Sequence, residues 1–262
     1  MLTSLQLLML LKKMPVIQEA HAYSGNFEFE DGDEAPKFTH STYVFLEDSS
    51  FHFARCANPP GSYDPNSLPK SCVPLNIFPT REANPHLTMA PDPLPDNSHT
   101  KHPNLISYAD KPDHASAHRV CRSLLREIEV CEQLRAHPHP NISEYLGCAL
   151  QQDRIMAACF VKYTDTLADR LREGSAIDHN RLDGIRHGLE HVHGLGFCHN
   201  DLKDSNIMFK PDGTPVIIDF DSCQRKGEKL EKMGTWNWGL AAYSSPENDW
   251  SCFEQIRRLL AH

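Results

Sequence analysis

A chain of 262 residues, with 40% hydrophobic and 23% charged residues, has an ordinary globular composition and is long enough for one large domain or two small ones. Its formal net charge of −9, without a cluster of Lys and Arg, argues against nucleic acid as a partner, because phosphate backbones are bound by clustered basic residues. The nine cysteines contain no C-x-x-C pair and form an odd number, which indicates neither a zinc site nor a disulfide framework and favours an intracellular, cytoplasmic location.

The N-terminal stretch is apolar at first and acidic later. Residues 1–11 are apolar but too few to span a bilayer, so no membrane span is expected. Lys12 and Lys13 follow the apolar run, which is the wrong charge order for a signal peptide, so we expect a short amphipathic helix or an incorrectly assigned start. Residues 25–36 lack a helical period and predict a loop or a weak strand.

The region before residue 103 carries a hairpin signal and many prolines. Residues 42–46 and 51–55 are β-rich runs around a polar turn, which predicts a hairpin. Of the 19 prolines, 11 lie between Pro59 and Pro103, which excludes a long helix and predicts a linker or an extended wrap. We therefore expect residues 1–90 to be an N-terminal extension with a β-hairpin and a proline-rich linker. No G-x-G-x-x-G sequence, whose backbone would cradle nucleotide phosphates, occurs upstream of the next helix.

Three regular elements are predicted between residues 119 and 161. Residues 119–134 place apolar side chains at a 3.6-residue period, with charges opposite, and predict a helix. Residues 145–150 and 155–161 are apolar runs that predict two buried strands joined by a polar turn.

Helices are predicted in much of the remaining chain. Residues 166–172 and 178–193 predict two of them, and Gly196 follows as a break. Residues 252–260 predict a last, amphipathic helix. The side chains expected on its buried side are Phe253, Ile256, Leu259 and Leu260.

The 16 histidines raise the question of a metal site. His187, His191 and His193 lie close together in the sequence, within and at the end of the predicted helix over residues 178–193. No acid completes a ligand set with them, so a histidine metal site is not expected.

Candidate catalytic residues occur in two neighbouring stretches. Residues 199–209 read H-N-D-L-K-D-S-N-I-M-F, and residues 215–221 read P-V-I-I-D-F-D after a Pro-Asp-Gly turn. Asp201 can accept or orient a hydroxyl proton, whereas Asn206 and Asp219 offer oxygen ligands for a metal ion. Phosphoryl transfer needs little covalent chemistry from the protein, so an acid, an amide and a second acid at this spacing suit Mg²⁺-bound ATP.

These two stretches resemble the catalytic loop and the metal-binding strand of protein kinases. The resemblance implies an α+β, two-lobed fold within residues 91–262, with a β-rich N-lobe to about residue 162 and a shortened helical C-lobe from about residue 163. It also implies that Lys203 lies beside the transferred phosphoryl group, as in Ser/Thr kinases. Magnesium would be held by Asn206 and Asp219.

Three further parts of the kinase pattern are implied by residues 127–163. Glu127, followed by H-P-N-I at residues 139–142, resembles the helix glutamate that pairs with the phosphate-anchoring lysine. Phe160 would lie behind the adenine pocket, although a plain core position would bury its ring equally well. The backbone of the hinge, which is expected to bond the base, comprises Val161, Lys162 and Tyr163.

The anchoring lysine is expected at Lys101. Residues 90–108 resemble a set of small fungal kinase-like proteins in which a lysine shortly before a proline takes the place of the usual strand lysine. Lys111 is the rival, because it lies 16 residues before Glu127, compared with 26 for Lys101.

Two residues depart from the kinase pattern. Asn200 stands where kinases usually carry an Arg that pairs with a phosphate on the activation segment, so regulation through that pair is not expected. Asp221 replaces the usual Gly after Asp219, and its side chain could add a metal ligand or restrict the loop.

The leading interpretation is ATP-dependent phosphorylation of Ser or Thr hydroxyls on a protein substrate. One alternative is a small-molecule kinase, because H-N-D followed by N-I and an I-D-F-acid sequence also resembles choline and aminoglycoside kinases. A second alternative is a catalytically weak pseudokinase scaffold, which the missing glycine-rich loop and Asp221 favour.

Overall fold

The computed structural model describes residues 16–24, 37–59, 61–62, 64–174, 179–230 and 242–260. The chain divides into two compact units, one of Met1–Thr80 with Pro103–Arg122 and the other of Arg81–His102 with Ser123–His262. The predictions for residues 1–11 and 25–36 lie outside the described residues.

The first unit contains a four-stranded antiparallel sheet. Its strands, in sheet order, are β1 (Val16–Ser24), β2 (Lys37–Glu47), β3 (Ser50–Cys56) and β4 (Ser71–Cys72). Strands β2 and β3 form the predicted hairpin. Its polar turn is tight because Asp48 and Ser49 adopt φ of 47° and 62°, which short polar residues tolerate. Strand β1 was not predicted.

The second unit contains a three-stranded antiparallel sheet in the order β5 (Ser98–Lys101), β7 (Arg154–Val161), β6 (Tyr145–Gln151). Strands β6 and β7 confirm the two predicted buried strands. Strand β7 buries every residue from Ile155 to Phe160, as an apolar run in a covered sheet should. In the described residues, β5 is a terminal strand of this sheet.

A short helix α1 (Ile106–Asp110) precedes the long helix α2 (His114–Ala136). Helix α2 starts earlier than predicted. The reason is a local cap, because the Asp113 carboxylate accepts a 2.8 Å hydrogen bond from the Ser116 amide and satisfies an N–H group of the first turn. Only the part of α2 from Ser123 onward belongs to the second unit.

The rest of the second unit is mainly helical. Thr166 and Asp169 form a capping box at the start of the first of these helices, and Gly196, with φ of 82°, ends the turn after the second. The elements are α3 (Leu167–Arg172), α4 (His179–Gly194), β8 (Phe197–Cys198), β9 (Ile207–Phe209), β10 (Pro215–Ile217), β11 (Gln224–Arg225) and α5 (Pro246–Leu259).

Helix α5 corrects one detail of the predicted core. Cys252, Phe253 and Ile256 are buried, but Leu259 is 46% exposed. Leu260 continues the buried stripe from Ile256 at the i+4 position and packs against the core, whereas Leu259 points to its edge. Among the described residues, no helix combines the length and the apolar character that crossing a membrane requires.

Candidate active site

A cavity of about 360 Å³ opens in the second unit between the sheet, strand β9 and the loop after β10. This volume is within the range of small-molecule sites. Six of the residues predicted to bind nucleotide or metal line it: Lys101, Glu127, Val161, Lys162, Tyr163 and Asp219.

Lys101 is the charged centre of this cavity. Its ammonium lies 2.5 Å from Glu127 Oε1 and 2.5 Å from Asp219 Oδ1. Burial lowers the pKa of the Lys101 ammonium, but the carboxylates of Glu127, Asp219 and Asp221 outweigh burial, so the pKa lies above its ordinary value. Lys101 is therefore a permanent cation at neutral pH.

The ionised form of the Glu127 carboxyl is stabilised by the Lys101 ammonium. The residue is 4% exposed, and burial raises the pKa of its carboxyl while the Lys101 ammonium opposes the rise. Lys111, by contrast, forms an ion pair of 3.1 Å with Asp113, and its own side chain is 79% exposed. The structure thus brings Lys101 together with Glu127.

The predicted catalytic loop forms a compact hydrogen-bonded turn. Lys203 Nζ donates to Asp201 Oδ2 at 2.9 Å, and Asn206 Nδ2 donates to the Asp201 carbonyl at 2.9 Å. Asp201 and Asn206 are both buried. The Asn206 carbonyl in turn accepts from the Ile218 amide at 3.0 Å, which connects the loop to the residue before Asp219.

Asp219 is held in an unusual backbone conformation, with φ of 66°. The next residue, Phe220, is completely buried in the same core cluster as Ile128 of helix α2, and its ring centroid lies 5.2 Å from that of His199. His199 Nε2 donates to the Ile218 carbonyl at 3.0 Å. Burial of Phe220 on one side directs Asp219 toward Lys101.

Asp249, at the start of α5, holds the first residues of the predicted catalytic loop through hydrogen bonds. Its carboxylate accepts hydrogen bonds from the backbone amides of His199 at 2.8 Å and Asn200 at 2.7 Å, and from His193 Nε2 at 2.7 Å. Sequence reasoning missed this role. Asp249-Trp250-Ser251, shortly after Ser245-Pro246-Glu247, resembles the start of the large C-lobe helix of kinases and was an available signal. Sequence reasoning also found no acid that could complete a ligand set with the histidines, whereas in the structure Asp249 contacts His193 from 56 residues away.

Comparison with known proteins identifies the family. The family model of the protein kinase domain matches residues 100–248, which is more than half of the chain. The chain belongs to the protein kinase domain family. The predicted α+β, protein kinase-like fold is thereby confirmed, and the matched region contains every predicted site residue.

Several protein kinases are similar to this chain in sequence. The Ser/Thr-protein kinase Tao of Drosophila melanogaster is 30% identical over 45% of this chain and 11% of its own length. Cyclin-dependent kinase 11.1 of Caenorhabditis elegans is 32% identical over 48% of this chain and 20% of its own length. The mitogen-activated protein kinase kinase kinase MCK1 of Pyricularia oryzae is 32% identical over 37% of this chain and 6% of its own length. This chain therefore spans at most about a fifth of these relatives.

Within this kinase domain, sequence reasoning overlooked His99. Alternation along β5 places it on the same face as Lys101, and it lines the cavity. Burial, followed by the charges of Lys101 and Lys162, lowers the pKa of the His99 imidazole, so the neutral ring is favoured at pH 7. Phe160, which was expected behind the adenine pocket, also lines the cavity. The other lining residues, which the prediction did not assign to nucleotide or metal binding, are Ser143, Thr164, Met208 and Ile218.

Proposed function

We propose that the protein is an ATP-dependent kinase that transfers the γ-phosphoryl group to Ser or Thr hydroxyls of a protein substrate. The observation that carries the proposal is the contact of Lys101 with both Glu127 and Asp219 at 2.5 Å in a cavity of about 360 Å³. A cation between a helix carboxylate and a strand-end carboxylate is the arrangement that anchors phosphates in kinases.

Nucleotide would bind with its base against the hinge. The amides of Val161 and Lys162 already donate to the carbonyls of Glu144 at 3.0 Å and Asn97 at 2.7 Å. We therefore assign the base-binding donor to the amide of Tyr163, the remaining hinge residue. Lys101 would exchange its contact with Asp219 for the phosphate oxygens of ATP.

The residues fit a magnesium ion. Asn206 uses its amide nitrogen on the Asp201 carbonyl, so its amide oxygen faces away from that bond, and Asp219 offers a carboxylate. Oxygen ligands of this kind are those that Mg²⁺ prefers, and the bound ion neutralises charge on the phosphates. Asp219 and Asn206 are accordingly the proposed metal ligands.

Asp201 and Lys203 would act on the acceptor hydroxyl. The Asp201 carboxylate would accept the hydroxyl hydrogen, which orients the oxygen for attack on the γ-phosphorus. It would take the proton as the new P–O bond forms, while the bond between the γ-phosphorus and the bridging oxygen breaks and ADP leaves. Lys203, 2.9 Å from Asp201, supplies positive charge beside the transferred group.

The relatives support a protein as the substrate, because those named above are protein kinases. We also propose that the kinase-like domain covers residues 91–262. We further propose that it is of the atypical fungal type, which the sequence around Lys101 resembles. A reducing, intracellular location is supported by the nine cysteines, all of which are free thiols.

The full chain should be tested with γ-labelled ATP, Mg²⁺ and a degenerate library of Ser/Thr peptides, with Asp201→Asn as the matched control. Mg²⁺-dependent labelling of Ser or Thr that the control lacks would support the proposal. Labelling of small amino alcohols or aminoglycosides in place of peptides would indicate a small-molecule kinase. Binding of ATP without any transfer would indicate a pseudokinase. Asp221 favours this alternative. The terminal position of β5 favours it as well, since the described sheet has no further strand beyond β5 to carry a phosphate-covering loop.

A further inference from the structure

Residues 87–90, here called the edge segment, extend the three-stranded sheet of the second unit ahead of the family match. Met89 forms a parallel β-bridge with Cys148 of strand β6. The amide of Cys148 donates to the Thr88 carbonyl at 2.8 Å, and the amide of Ala90 donates to the Cys148 carbonyl at 2.9 Å. The edge segment therefore covers the outer edge of β6, the strand furthest from β5.

The close approach of the edge segment depends on a glycine. Gly147 has a φ of 131°, and a Cβ at this position would lie 2.5 Å from the carbonyl carbon of Met89. Any larger residue would therefore have to push the segment away from β6.

The same segment binds helix α2. The Glu132 carboxylate accepts two hydrogen bonds from one residue, the Thr88 amide at 2.6 Å and the Thr88 hydroxyl at 2.8 Å. Arg135 donates to that hydroxyl at 3.2 Å, and Leu87 is buried in the core cluster that includes Ile128. Two charge-assisted bonds and one buried side chain thus join the segment to the helix.

Glu132 and the active-site residue Glu127 share α2 but face different directions. Five residues of an α-helix turn by about 140° after a full rotation, so the two carboxylates leave the helix on different sides. Glu127 reaches Lys101, whereas Glu132 reaches Thr88. A helix held on both sides has little freedom to rotate or to slide along its axis.

We propose that the edge segment is a built-in clamp that holds α2 in the position at which Glu127 meets Lys101, with Thr88 and Glu132 as positioning residues. The inference rests on the proposed kinase function, because ATP use is where the position of Glu127 has its effect. Such a clamp keeps the helix in its productive position through the chain's own residues.

The test compares Glu132→Ala in two backgrounds, the natural chain and the Glu127→Gln variant. In the natural chain, Glu132→Ala should lower kcat/KM for ATP about tenfold, the scale of coupling between residues in one network. In the Glu127→Gln background the same change should lower it less than about twofold, because the positioned group is already absent. Thr88→Val, which removes the hydroxyl, should also lower kcat/KM for ATP. Thr88→Ser keeps both the amide and the hydroxyl and should leave kcat/KM at the natural value.

Glu129→Ala is the matched control, since Glu129 is an exposed acid on the same helix, and its ATP kinetics should stay unchanged. Amide hydrogen exchange of residues 123–136 and calorimetric ATP affinity are measured in parallel, so the clamp remains testable if the natural chain shows no turnover. Equal effects of Glu132→Ala in both backgrounds would mean that Glu132 only stabilises the fold and would overturn the proposal. Unchanged exchange in α2 on Glu132→Ala would overturn it as well.

Discussion

Replacing Lys101 by Met tests the charged centre of the cavity. Methionine keeps most of the side-chain volume but removes the ammonium that lies 2.5 Å from both Glu127 and Asp219. Glu127 then stays in the core without a counter-charge. We expect a loss of both folding stability and ATP affinity.

The size of the stability loss follows from burial. Removing one partner of a buried ion pair costs about 3–5 kcal/mol, because the other charge is left uncompensated. The Glu127 side chain is 6% exposed, but that of Lys101 is 28% exposed, so water reaches one end of the pair. We therefore expect the lower end of the range, about 3 kcal/mol of unfolding free energy at pH 8.

The loss should depend on pH with a defined sign. Burial raises the pKa of the Glu127 carboxyl, the Lys101 ammonium opposes that rise, and the carboxylates of Asp219 and Asp221 add to it, so removing the ammonium should raise the pKa further. An acid whose pKa is higher in the folded than in the unfolded state destabilises the fold above the folded pKa and ceases to do so when it is protonated. The difference between Lys101→Met and the natural chain should therefore be largest at pH 8 and smaller at pH 5.

Urea unfolding at pH 5 and pH 8 measures the first expectation, and calorimetric titration with ATP and Mg²⁺ measures the second. ATP affinity should fall at least about tenfold, the value of one charge-assisted hydrogen bond to phosphate. Lys111→Met is the control and should change neither quantity, since Lys111 is exposed. A loss of affinity confined to Lys111→Met, or a stability difference that does not change with pH, would refute the reasoning.

The remaining predictions concern the catalytic loop and its surroundings. Asp201→Asn should lower the phosphoryl-transfer rate by about two to four orders of magnitude while calorimetry finds ATP affinity nearly intact, and equal loss of both would make Asp201 structural. Asp219→Ala should abolish the Mg²⁺ dependence of ATP binding, and a titration with unchanged dependence would reject Asp219 as a metal ligand. Phosphatase treatment should leave turnover unaffected even if the predicted activation segment, residues 222–245, carries phosphate, because Asn200 stands in place of the Arg that would bind it. Loss of turnover would contradict this expectation.

The candidate catalytic loop could be recognised in the sequence because the residues that define it are neighbours along the chain. Asp201, Lys203 and Asn206 lie within six residues, and the Pro-Asp-Gly turn places Asp219 soon afterwards. Strands β6 and β7 were equally predictable, since each is a continuous apolar run. Patterns of this kind are set by neighbours along the chain.

Several of the missed features depend on partners far away in the sequence. Asp249 reaches His193 across 56 residues, and Thr88 reaches Glu132 across 44. Strand β1 gains its hydrogen bonds from β2, beyond the undescribed residues 25–36. A hydrophobic period also cannot tell where a buried surface ends, which is why Leu259 was assigned to the core.

Asn200 explains why phosphate on the activation segment should not control activity. The residue is 2% exposed. Its Nδ2 atom donates to the Ser222 carbonyl at 3.3 Å and to Ser244 Oγ at 3.0 Å, near the two ends of the segment. The same atom donates to the Cys198 carbonyl at 2.9 Å, and Oδ1 accepts from Asn248 at 3.1 Å. An uncharged amide thus ties both ends of the segment to the catalytic loop, where an Arg would need a phosphate as its partner. Asn200 also tolerates its φ of 61° better than most residues. Asn200→Ala should therefore reduce turnover in phosphorylated and dephosphorylated protein alike, and an effect limited to one of them would contradict this account.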